Sequence, residues 1–179
     1  MLYLIYLAGL MILLLGAVTV WTGAGASAVV VSNLMNFLDL WTLAVIAAFC
    51  LLALLAAGGL KAFGGAMAWM FKREALPVPL LKERLLAVRT AVQAAMLGGG
   101  FGFAASLVNL LKWLNLSEGT AELGNGIGTA LLFLIYPLVI ALVLLPVYAA
   151  LKKALAAGDA AEKPRHTVSV SRSAGKKAG

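Results

Sequence analysis

Within an apolar segment, hydroxyl and amide side chains can hydrate an ion or relay a proton, because they both donate and accept hydrogen bonds. Gln93, Ser106 and Asn109 stand in one apolar run of this chain, and Asn125, Thr129 and Tyr136 stand in or beside the next. Thr129 lies four residues before Phe133, so the two share a helical face. A structural role competes for each. A Thr in a spanning helix can bond its own i−4 carbonyl, and an Asn can join two helices. Ser106, Asn109, Thr129 and Tyr136 are the candidates for lining an ion path or a partner.

Four further residues read as helix shaping and packing: Gly98, Gly102, Pro137 and Pro146. Gly98 and Gly102 in "GGGFG" have the small-xxx-small spacing that lets helices approach closely. Pro137 removes a backbone donor and is expected to kink its helix, freeing a carbonyl near Leu132 or Phe133. Its neighbour Tyr136 seeks a polar partner.

Other chemistry is not signalled. No Ser/His/Asp set, phosphate-cradling glycine loop or HExxH is present, so no enzyme activity, catalytic residue or cofactor is expected. The single cysteine, Cys50, allows no disulfide framework or paired metal site, and no metal is expected. The single histidine, His166, lies in the polar basic stretch "EKPRHTVSVSRSAGKKAG" and reads as solvated.

The elements that must position these residues follow from composition. Hydrophobic residues make up 63% and charged residues 12% of the 179, and the mean hydropathy is +1.02. Globular chains carry about 45–50% apolar and about 25% charged residues, so an all-α membrane protein is expected. A spanning helix needs about 20 apolar residues. Four candidate transmembrane helices fit, at about 2–21, 41–60, 91–111 and 127–151, in a membrane domain of residues 1–153. The third is rich in small residues and reads as an inner helix. Residues 154–179 read as a basic, disordered tail.

Charge orients the bundle. Of 14 Lys and Arg, six fall from Lys61 to Arg89 and seven from Lys152 to Lys177, leaving Lys112 alone. The positive-inside rule then places both clusters, and both termini, in the cytoplasm. Short outer loops follow at Thr22–Leu40 and near Lys112–Gly126, with Trp21, Trp41 and Trp113 at outer span ends. "AGASA" resembles a signal-peptide cleavage site, but no Lys or Arg precedes the apolar run before it. The net charge of +7 is accounted for by a membrane face, so the partner is the lipid bilayer and no nucleic acid is expected. Between spans two and three, "KAFGGAMAWMFKREALPVPLLKERLLAVRT" reads as a short amphipathic cytoplasmic connector, broken at "PVP", then a charged helical lead.

The segment "IGTALLFLIYPLVIALVLLP" resembles the last span of the MotA/TolQ/ExbB proton-channel family, with Ala130, Leu131, Tyr136, Ala141 and Pro146 on matching positions. "GGGFGFAASLVNLLKWLNL" looks like the family's third span. "NFLDLWTLAVIAAFCLLALLAAGGLKAFGGAMAWMF" looks like the flagellar-stator form of the second span and its exit. The resemblance covers residues 33–153. It implies a multi-pass protein of the bacterial inner membrane, the channel-forming subunit of an ion-driven motor or energising complex. It also implies a homo-pentamer around a single-span partner that carries the titrating intramembrane Asp, with spans three and four lining the centre. Thr129 holds the place of a Glu in the transport-energising branch.

The chain departs from the pattern at the family's hydroxyl positions, which here are Phe103, Phe133 and Leu134, and at a glycine position, here Pro137. The family's large cytoplasmic region is also missing between spans two and three, which disfavours a flagellar torque role. The alternative is a non-conducting four-span scaffold or assembly factor. A small secondary transporter fits less well, because no inverted repeat and no intramembrane charge are evident.

Overall fold

The computed structural model describes residues 2–18, 39–72, 74–112 and 120–175, with side chains on the last segment described mainly up to Gly158. All described elements are helices: α1 Leu2–Val18, α2 Leu40–Ala56, α3 Leu60–Lys72, α4 Val78–Lys112 and α5 Thr120–Gly175. Trp21 and Trp113, the "AGASA" stretch, and residues 22–38 and 113–119 of the two expected outer loops lie outside the described residues.

Two segments are long and apolar enough to cross a membrane: α4, and Gly126–Gly158 within α5. The pair α2 and α3, bent by 111°, reaches that standard only as one broken span, and the apolar stretch Tyr3–Leu14 of α1 is too short for it. Against four expected spans, the described residues therefore give two, or three with the bent pair. The chain is a membrane protein on this pattern. Many of its large apolar side chains, such as Leu97, Phe101, Leu131 and Leu138, point outward, where lipid or another helix can cover them.

The bend has a local cause. The expected second span runs to residue 60, but α2 stops at Ala56 because Gly58 adopts φ 64°, a left-handed conformation that glycine enters without Cβ strain. The Gly59 N–H bonds the Leu54 carbonyl at 2.8 Å and the Gly58 N–H bonds the Leu55 carbonyl at 3.0 Å. This 6→1 and 5→2 pair is a Schellman cap, which satisfies the last carbonyls of α2 and turns the chain. At its other end α2 is capped by Asp39, whose carboxylate accepts from the Trp41 N–H at 3.1 Å and the Thr42 hydroxyl at 2.5 Å.

After the bend, α3 carries the expected amphipathic connector. It buries Ala62, Ala66 and Met70, an i, i+4, i+8 stripe, against Leu81, Ala87 and Val88 of α4 and Val147 and Leu151 of α5. The "PVP" sequence separates α3 from α4, as a proline pair should. The Pro77 carbonyl accepts from Leu80 and Leu81, and Pro79 sits in the first turn, where its missing N–H costs no helical bond. The charged lead "LLKERLLAVRT" is continuous with the apolar part of α4. The last helix does not end at residue 153, where a disordered tail is expected to begin; it continues to Gly175. The Ala- and Lys-rich "LKKALAAGDAAEK" has the helix propensity to carry it as far as Lys163.

The α4 and α5 helices run antiparallel in one register. A Cβ placed on Gly158 would meet Val78, on Gly99 Pro137, on Gly102 Phe133, and on Gly126 Leu110. This helix pair forms the spine of the molecule, with α2 laid against it through Phe49 over Gly98 and Ile46 beside Ala95 and Phe133.

Candidate functional site

The glycine cluster of α4 sets how closely its neighbours approach. Gly98 and Gly102 are both buried, yet they serve different partners: Gly98 admits the Phe49 ring of α2, and Gly102 lies under the Phe133 ring of α5. A third glycine, Gly99, is not distinguished by spacing. It admits Pro137 and the Phe133 carbonyl, the group that Pro137 deprives of an i−4 donor. Sequence places the freed carbonyl near Leu132 or Phe133; in the structure it is packed against a glycine backbone. Pro146 acts in parallel, since the carbonyl it leaves without a donor, that of Leu142, accepts from the Tyr6 hydroxyl at 2.8 Å. One turn away the Tyr3 hydroxyl bonds the Val143 carbonyl at 3.3 Å. In hydrocarbon an unsatisfied backbone group costs several kcal/mol, so Tyr6 holds α1 to α5 at the point where Pro146 has opened the ladder, and Tyr3 adds a second bond beside it.

The four path candidates divide. Asn109 and Thr129 are exposed on α4 and α5, and Ser106 is half-buried. By the α4–α5 register, Thr129 is level with Ser106 and Leu107, so Ser106, Asn109 and Thr129 occupy one band, within about two turns of the Lys112 end of α4. Thr129 is not idle there, as it has an interaction partner within the chain. Tyr136 is directed elsewhere: its hydroxyl accepts from the Asp39 backbone N–H at 2.8 Å and so fixes the start of α2 against the middle of α5. Gln93 lies apart from them, a turn beyond Arg89, and the side chain of Asn125 lies outside the described residues.

The hydroxyl-to-apolar departures divide as well. Phe133 is only 8% exposed and packs with Ile46, Ala95 and the half-buried Phe103. Leu134 is 38% exposed on the outer face of α5. Phe133 is thus a packing residue between three helices, whereas Leu134 is at a surface another molecule could line.

Asp39 is the residue that sequence reading misses, because it falls in the expected outer loop ending at Leu40. Its bond to Tyr136 places it beside a point about 15 Å along α5 from Gly126, well inside the apolar stretch. A signal for it exists. An Asp just before an apolar run, with Thr three positions on, is an N-cap pattern.

Residues 70–158 match the model of the MotA/TolQ/ExbB proton channel family, so the likeness covers the end of α3, the whole of α4 and the apolar part of α5. No curated protein and no solved structure matches the chain.

Proposed function

This chain belongs to the MotA/TolQ/ExbB proton channel family, and we propose that it is the channel-forming subunit of an ion-driven motor or energising complex in a bacterial inner membrane. The observation that carries this reading is coincidence of place. The family match falls on the α4–α5 pair, and that pair bears the polar band of Ser106, Asn109 and Thr129. In the proposed assembly five copies surround a single-span partner, that partner supplies the titrating Asp, and the polar band faces it. Four membrane crossings with both termini cytoplasmic agree with the distribution of basic residues. The chain acts by conduction and assembly, not as an enzyme.

The oxygen and amide groups of the band suit a path in which an ion exchanges part of its hydration shell near a partner carboxylate. Reconstitution tests this. The chain and a co-encoded single-span protein, placed together in liposomes, should give proton or sodium flux that neither gives alone, from a particle holding five copies of the chain. A monomer or dimer in native lipid with the partner present, and no flux, would leave the scaffold reading standing. That second reading has one observation in its favour, the burial of Phe133 where the family carries a hydroxyl.

A further inference from the structure

Outside the polar band, the α4–α5 pair holds an open cleft of about 250 Å³ lined by Arg89, Val92, Gln93, Ala141, Leu144, Leu145 and Tyr148. It lies toward the end of the bundle that carries Lys82 and Arg84 on α4 and Lys152 and Lys153 on α5, and Arg89 is the basic residue that reaches farthest into the apolar stretch. Its polar groups are unused: Arg89, Gln93 and Tyr148 form no hydrogen bond or ion pair with any other described residue.

We propose that this cleft binds one anionic glycerophospholipid, its phosphate on Arg89 and Tyr148 and an acyl chain along Val92, Leu144 and Leu145. The layering of the cleft matches that of the lipid. Arg89 and Tyr148 are level in the α4–α5 register and lie at the basic end, where a guanidinium fork and a phenol hydroxyl can both donate to phosphate oxygens. Gln93, one turn deeper by about 6 Å, can donate its amide to a glycerol ester carbonyl, which lies deeper in a bilayer than the phosphate. The walls beyond it are aliphatic, as the acyl chain requires.

Charge selects the occupant. From Ala91 to Lys112 on α4, and from Gly126 to Gly158 on α5, no acidic residue occurs, so a second copy laid into the cleft with these faces would offer Arg89 no counter-charge. The nearest carboxylate along α4, Glu83, is six residues before Arg89 and so on a different face of the helix. A headgroup with its own ammonium would meet Lys152 and Lys153, whereas a net-negative headgroup is attracted by them. This site does not depend on ion conduction and can hold whether or not the chain forms a channel.

Native mass spectrometry of the full chain, released from nanodiscs of equal phosphatidylglycerol and phosphatidylcholine, reads the site directly. The expected result is one phosphatidylglycerol retained per chain. Arg89→Gln should lower its occupancy about tenfold, the usual scale for a charge-assisted hydrogen bond. Tyr148→Phe and Gln93→Leu should each lower it by a smaller factor, and Lys112→Gln, which removes the same charge at the opposite end of α4, should leave it within about twofold. Equal retention of the two lipids, or equal loss in Arg89→Gln and Lys112→Gln, would overturn the proposal. If Arg89→Gln fails to fold, Ala141→Cys in a Cys50→Ala background decides. Labelling of the introduced thiol by a thiol-reactive phosphatidylglycerol analogue in native membranes supports the lipid. Efficient disulfide formation between two copies at that position would show that a second copy fills the cleft.

Discussion

The Tyr6 hydroxyl donates at 2.8 Å to the Leu142 carbonyl, the one backbone acceptor that Pro146 leaves without its helical N–H. A defect in one helix and an aromatic side chain of another are therefore matched, and the match holds α1 to α5. Removing the hydroxyl with Tyr6→Phe should lower stability by about 1 kcal/mol, since interhelical bonds in membranes are worth about 0.6–2 kcal/mol. Pro146→Ala returns an N–H to Leu142, so the added cost of Tyr6→Phe should fall toward zero in that background. A double-mutant cycle in detergent unfolding measures this. Additive losses would show that the tyrosine acts through something other than that carbonyl.

Three neighbouring glycines of α4 should respond differently to alanine. At Gly99 and Gly102 a Cβ would collide with Pro137 and with the Phe133 ring, so each Ala substitution should destabilise the helix pair by about 1–3 kcal/mol. At Gly100 nothing lies within 4 Å, so Ala should be neutral or stabilising within one chain, by up to about 1 kcal/mol from helix propensity. Thermal unfolding of the three variants checks the order. An assembly-specific loss at Gly100, with the isolated chain unharmed, would instead mark the face where copies meet.

At the start of α2, Asp39→Ala should cost about 1 kcal/mol by removing the acceptor for Trp41 and Thr42, while Asp39→Asn should retain most of the cap. Tyr136→Phe should loosen the same site from the other side by removing the acceptor of the Asp39 N–H. Hydrogen exchange at residues 39–43 reads both changes. Equal protection in wild type and Tyr136→Phe would show that the tyrosine does not fix this end.

The all-helical class, the amphipathic connector and the family are legible because each rests on local pattern: runs of apolar residues, a three-to-four residue stripe on α3, and a motif around Tyr136. Span lengths are less so. The end of α2 depends on whether Gly58 or Gly59 takes the left-handed conformation, and the apolar run gives no sign until residue 60. Partnership is least legible. The spacing of Gly98 and Gly102 suggests one shared face, but α2 and α5 approach α4 from different sides and divide the two between them, with Gly99 taking the closest contact to Pro137. Asp39 is hidden by a boundary, since one residue separates an outer-loop aspartate from an N-cap hydrogen-bonded to the middle of another helix.

Replacing the two departures on α5 with the family's hydroxyl residue should have unequal consequences. Leu134 is partly exposed, so Leu134→Thr adds a hydroxyl at little packing cost and should raise partner-dependent flux if ions pass this face. Phe133 fills the space above Gly102 and contacts Ile46 and Ala95, so Phe133→Thr should lose about 3–5 kcal/mol and weaken the fold before any effect on flux can be read. Adding Gly102→Ala should recover part of that loss, because the methyl that collides with the phenyl ring has room once the ring is gone. Thr129→Val, which keeps volume and removes the hydroxyl, should reduce flux with the oligomer intact. Liposome flux and thermal unfolding, measured together on these variants, separate conduction from packing. Wild type without flux beside every candidate partner, and Leu134→Thr with it, would place the loss of conduction in that leucine and favour the non-conducting scaffold reading for the native chain.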